Sequence, residues 1–154
     1  MFKVSNFQTA STLMVVLLAA SNIEYLYATA KLEYELLGSD DSHYAFSTPL
    51  ATLHKFNGWT DQFLNTTPQG LEDIYISLSG KLAGGKLAIA YHDFSAHDPN
   101  SVIDDLGNEI DILYTKKLSK NYSAGIKYGI YSAGDAASGK VDTDKAWLWL
   151  SANF

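Results

Sequence analysis

Over several stretches of this chain apolar and polar residues alternate one for one. A period of two belongs to strands, because successive side chains of a strand point to opposite faces. Residues 31–37 (KLEYELL) place Leu32, Tyr34 and Leu36 against Lys31, Glu33 and Glu35. Residues 71–82 (LEDIYISLSGKL) place Ile74, Ile76, Leu78 and Leu82 against Asp73, Tyr75, Ser77, Ser79 and Lys81. After the turn Ala83-Gly84-Gly85, residues 86–94 set Leu87, Ile89 and Tyr91 against Ala88, Ala90 and His92, which makes the clearest hairpin of the sequence. Residues 108–115 set Ile110, Ile112 and Tyr114 against Glu109, Asp111 and Leu113. Residues 122–131 set Tyr122, Ala124, Ile126, Tyr128 and Ile130 against Ser123, Gly125, Lys127, Gly129 and Tyr131. The last segment, 144–154, sets Ala146, Leu148, Leu150, Ala152 and Phe154 against Lys145, Trp147, Trp149, Ser151 and Asn153. The pattern predicts an all-β chain, an antiparallel up-and-down meander of about six strands, with 22–154 as its β-segment.

The connections alternate in length. Counted back from Phe154 they run long, short, long, short, long. Membrane barrels have short periplasmic turns and longer external loops, so the alternation predicts part of a transmembrane β-barrel whose last strand ends on the periplasmic side. The longest connection, 42–70, is rich in aromatic residues and holds Pro49, Gly58, Pro68 and Gly70 without a sustained period. A loop of this length is ordinarily functional or disordered, and Phe46, Phe56, Trp59 and Phe63 favour packing. Tyr34, Tyr91, Tyr114, Tyr122 and Tyr128 share the apolar face, as an aromatic girdle would. A strand that is apolar at every second position and ends on Phe154 is also what barrel-assembly machinery reads.

Composition narrows the classes. The chain has 154 residues, enough for one domain. Charged residues make up 18% and aromatic residues 13%, lower and higher respectively than in an average soluble domain. A barrel meets lipid with alternate residues only, so it needs no long apolar run. There is no Cys, which excludes disulfides and thiolate metal sites. The net charge of −6 argues against nucleic acid as a partner. All eleven basic residues are Lys, so no bidentate guanidinium clamp is present. Residues 1–21 read either as an export signal, with Lys3, the apolar run LMVVLLAA and a small-x-small site at Ala19 and Ser21, or as an arbitrary start.

Four segments carry a resemblance to a family. TPLATLHKFNGW (48–59, continuing TDQFL), GLEDIYISLSGKL (70–82), AIAYHDF (88–94) and TDKAWLWL (143–150) together resemble the C-terminal part of alginate export-type outer-membrane porins. The resemblance implies an antiparallel barrel in outer-membrane lipid that passes small hydrophilic solutes passively, with an oligosaccharide or an organic acid as the expected classes. It also implies that the loop carrying His54, Lys55 and Trp59 comes from the external side toward the lumen. Six strands fall short of the eight or so of a small barrel and the roughly 16–18 of an aqueous porin, so the expectation is the last third of a porin. The inferred polar faces count Glu33, Glu35, Asp73, Glu109 and Asp111 against Lys81 and Lys127, five acids to two bases. For that reason alginate itself is not carried over as the solute. Pore-lining or substrate-contact candidates are these seven, His54, Lys55 and Trp59 of the loop, and Tyr75, His92, Trp147 and Trp149 of the strands.

Other constellations are weaker. Residues 134–140 (GDAASGK) match most of a phosphate-binding loop, but Val141 stands where a magnesium-binding hydroxyl belongs and no helix follows. The acidic stretch 98–111 fails the EF-hand pattern at Val102 and Ile103, leaving an adventitious divalent site as the minor reading. Adjacent strand residues point to opposite faces, so Asp93 cannot orient His92 for catalysis. Trp147 and Trp149 read first as packing residues and second as a stacking surface for a sugar. No catalytic residue, metal or cofactor is expected. The alternatives to a porin are a non-transporting fragment that pairs through its free edges and a soluble secreted β-domain that binds sugars.

Overall fold

The computed structural model describes residues 13–21, 23–46 and 57–154, with side chains from residue 28 onward. Strand β1 (Leu13–Ser21) turns directly into β2 (Ile23–Leu37). A small hairpin, β3 (Ser39–Asp40) and β4 (Tyr44–Ala45), caps the end of β2. Then come β5 (Leu71–Leu82), β6 (Gly85–Ser95), β7 (Asp105–Lys117), β8 (Tyr122–Ser132) and β9 (Thr143–Ala152). One 3-10 turn, Ala136–Ser138, lies between β8 and β9, where the sequence resembled a phosphate-binding loop.

The main sheet runs β1-β2-β5-β6-β7-β8-β9, each strand antiparallel to its neighbour in chain order. It is an up-and-down meander, and it is open: β1 and β9 do not pair with each other. The β5–β6 turn is tight because Ala83 and Gly84 both adopt positive φ, 48° and 77°, the two-residue turn whose twist suits a hairpin.

Register decides the faces. Leu32, Ile76, Tyr91, Ile110 and Ile130 lie in one cross-strand row. The next row toward the short turns holds Ala30, Leu78, Ile89, Ile112, Tyr128 and Ala146. The apolar sides of all six expected strands therefore fuse into one continuous face, and that face is open to its surroundings: Ile76 is 48% exposed, Ile126 51% and Leu148 82%. The opposite face carries the acids, and there Asp73, Glu109 and Asp111 are fully buried. Among the described residues, full burial of large apolar side chains, which stabilises by about 25 cal/mol per Å² of apolar surface, is thus confined to the polar side. At its loop end Leu37, Leu71, Phe94, Leu106 and Tyr131 close around Phe63 of the long connection.

Two expectations change. The first strand is longer than 31–37, beginning at Ile23, and a seventh strand precedes it. The run LMVVLLAA, read as the core of an export signal, lies in β1; two β-branched valines within an apolar run suit a strand as well as a signal. The charge count also changes. The same parity that places Lys81 and Lys127 on the polar face places Lys31, Lys86, Lys117 and Lys145 there, so five acids face six lysines and the face is not net acidic.

Candidate functional site

The polar face reads as rows from the long loops toward the short turns. Glu35 and Asp73 share the first with Phe94. Glu33, Tyr75, His92, Glu109 and Tyr131 form the second. Lys31, Ser77, Ala90, Asp111, Gly129 and Lys145 form the third. Lys127 and Trp147 sit in the fourth; Lys81, Lys86, Thr115, Gly125 and Trp149 make the fifth. All five acids lie in the first three rows.

Residues 57–70 lie on this face and are bound to it through β7, β8 and β9. Glu109 is the main anchor. Its Oε1 accepts the backbone N–H of Trp59 at 2.5 Å and of Thr60 at 2.8 Å, and its Oε2 accepts the Thr60 hydroxyl at 2.6 Å. Gly58 makes the approach possible, since a Cβ there would fall 2.5 Å from Glu109 Oε2. Lys145 pairs with Asp61 at 3.0 Å, Gln62 Nε2 donates to Thr143 Oγ1 at 2.9 Å, and Lys140 Nζ donates to the Gln62 carbonyl. Burial holds the Lys140 amine below the usual lysine range. Lys127 Nζ lies 4.2 Å from the centre of the Trp59 ring and 4.8 Å from that of Trp147, an ammonium between two indoles.

Beside the loop, His92 bridges neighbouring acids. Its Nδ1 is 2.9 Å from Asp73 Oδ2, and its Nε2 is 3.7 Å from Asp111 Oδ2. The ring stacks between Tyr75 and Phe94, at 4.5 Å and 5.5 Å. Asp111 is itself fully buried beside this pair. Asp93, the chain neighbour, is exposed on the other face, as alternation requires. Among the described residues no group of three or more His, Asp or Glu is arranged to hold a metal ion.

The expected site residues therefore fall into four groups. Trp59, Asp73, Tyr75, His92, Glu109, Asp111, Lys127 and Trp147 come together where the loop meets the sheet. Lys81 and Trp149 lie apart, at the turn end, and Glu33 and Glu35 line β2. His54 and Lys55 lie outside the described residues. Sequence reasoning missed Thr60, Asp61 and Lys145 as loop anchors, and the Asp73–His92 pair. The pair has a signal in the sequence: a two-residue turn at Ala83-Gly84 fixes the register, which sets Asp73 diagonal to His92.

Comparison with protein-family models, curated proteins and solved structures finds no match to this chain.

Proposed function

We propose that this chain is the wall of an outer-membrane β-barrel, its apolar face against lipid and its polar face toward an aqueous lumen. More particularly, it is the C-terminal part of a porin for passive diffusion of small hydrophilic solutes. The observation that carries the reading is the inversion of the sheet. An unbroken apolar face is left exposed, while carboxylates, an imidazole and lysines crowd the face that a loop covers. A soluble domain buries the apolar face instead; outward apolar and inward polar residues suit a lipid-embedded barrel. Residues 57–70, anchored on Glu109 and Lys145, narrow the lumen on the β7–β9 side. The charges of the wall then set which solutes pass.

The open sheet supports a second reading, a segment that transports only after pairing with further strands at β1 and β9. Refolding the chain with lipid vesicles tests both. Protease-resistant insertion with stepwise conductance in planar bilayers supports the porin reading. Insertion without conductance leaves the segment reading, and a chain that stays in water, folded and monomeric, overturns both.

A further inference from the structure

We propose that the turn end of the polar face is a binding site for the phosphate group of a small solute. The inference rests on the lumenal reading of this face and assigns a solute chemistry to it.

A concavity of about 870 Å³ opens there, lined by Thr29, Ser79, Lys81, Lys86, Thr115 and Lys117, with Trp149 at its edge. Register places Lys81 directly opposite Lys86 on neighbouring strands and the same face. Like charges in that arrangement destabilise a sheet. Among the described residues no carboxylate pairs with Lys81, Lys86 or Lys117; the ion pairs of this face lie in its first three rows. The nearest acid row is that of Asp111, two rows away, or about 13 Å along the strand. That exceeds the ~8 Å screening length at physiological salt, so the acids do not neutralise this end. A dianion seated between the two lysines turns their repulsion into attraction, and Ser79 and Thr115 bring hydroxyl donors to the same concavity.

The choice of phosphate follows from the donors. Every basic residue is a lysine, a point charge without the planar fork that matches a carboxylate. Lysines set side by side on two strands suit a tetrahedral oxyanion. Trp149 adds a platform. Its ring lies on Gly125, where a Cβ would fall 2.1 Å from indole Cζ2, and the residue is 36% exposed. An exposed indole beside an oxyanion site suits the ring of a sugar phosphate.

The test uses the full chain refolded in detergent, with Trp59→Phe and Trp147→Phe so that Trp149 alone emits. Inorganic phosphate is expected to change its emission saturably, and acetate and sodium chloride at equal ionic strength are not. Glucose 6-phosphate is expected to saturate at lower concentration than phosphate. Lys81→Gln with Lys86→Gln should raise the half-saturating phosphate concentration about tenfold or more, each single change less, while Lys120→Gln on an exposed turn leaves it unchanged. Phosphatidylglycerol added to the micelle should give no response; if it reproduces the phosphate response, the site takes a lipid headgroup and the proposal falls. The proposal also falls if phosphate and chloride act alike, or if the double lysine variant binds as the parent does. Vesicle insertion of the same sample is read separately. Intact insertion without phosphate binding overturns this site alone, and failed insertion overturns the lumenal reading beneath it.

Discussion

Glu109 grips Thr60 with both carboxylate oxygens, Oε1 on the backbone N–H at 2.8 Å and Oε2 on the hydroxyl at 2.6 Å. Both residues are buried, Glu109 wholly and Thr60 to 1% exposure. A strand of the wall and the loop upon it are thereby joined by charge-assisted bonds, which contribute about 1.5–3 kcal/mol each. Glu109→Gln removes the charge and turns a donor toward donors. It is expected to lower the free energy of opening residues 57–63 by about 2 kcal/mol or more, and Thr60→Val by about 1–2 kcal/mol. Amide exchange across the loop measures both. Equal protection in the parent and in Glu109→Gln would show that other contacts seat the loop.

Gly58 should be irreplaceable for two reasons that can be separated. Its φ is +79°, where a Cβ costs about 1–2 kcal/mol, and the added atom would meet the Glu109 carboxylate at 2.5 Å. Gly139 has a similar φ of +70°, with nothing within 4 Å of its Cβ position. Gly139→Ala therefore reports strain alone, about 1 kcal/mol. Gly58→Ala should cost clearly more and should release the same loop amides that Glu109→Gln releases. Denaturant midpoints and amide exchange of the two variants, compared side by side, decide it.

Much of this architecture is legible in the alternation. Strand 71–82 and its hairpin partner follow from a period of two and a Gly-rich turn, and the apolar side of each strand is the side the register joins into one face. The first strand was legible only from Lys31, where charged residues begin to alternate with Leu32, Tyr34 and Leu36; the apolar LMVVLLAA suits a signal and a strand equally. The site was legible in parts. His92, Glu109 and Asp111 stood on the polar parity, yet their partners come from β5 and from a loop with no period, and alternation says nothing about which loop residue reaches which strand. Thr60 and Asp61 look like ordinary loop residues until the fold sets them against Glu109 and Lys145. The charge balance depended on counting every lysine of polar parity, Lys31, Lys86, Lys117 and Lys145 as well as Lys81 and Lys127.

Asp135 ties two long loops together and should do so in a pH-dependent way. Its Oδ2 accepts the backbone N–H of Asp104 at 2.9 Å and of Asp105 at 3.0 Å, and these bonds hold its carboxyl below the ordinary carboxylate range. A carboxyl depressed by folding stabilises fully above its unfolded value, near 4, and ceases to do so as pH falls through the lower folded value. Protection of the Asp104 and Asp105 amides, corrected for intrinsic exchange, is therefore expected to be flat from neutrality to about pH 4 and to fall only below it. Asp135→Asn should weaken both amides at neutral pH and remove the acid step. A loss of protection already complete at pH 5 would contradict the assignment.

The two faces of the β5–β6 hairpin make the lipid reading testable residue by residue. Leu78, 48% exposed, and Ile89, 38% exposed, are cross-strand partners in the middle of the apolar face. Ser77 is their neighbour on the polar face, opposite Lys31 and Ala90. A lysine on the lipid side near the bilayer midplane costs about 2–4 kcal/mol, whereas one facing the lumen is solvated. Ile89→Lys should therefore lower folding into phospholipid vesicles by about that amount, and Ser77→Lys by less than about 1 kcal/mol. In water the ordering is different: a lysine on an already exposed surface position of a soluble sheet changes stability within about 0.5 kcal/mol. Urea titrations in vesicles separate the two cases. A small effect of Ile89→Lys would mean that water, not lipid, meets the apolar face, and the barrel reading would fall with it.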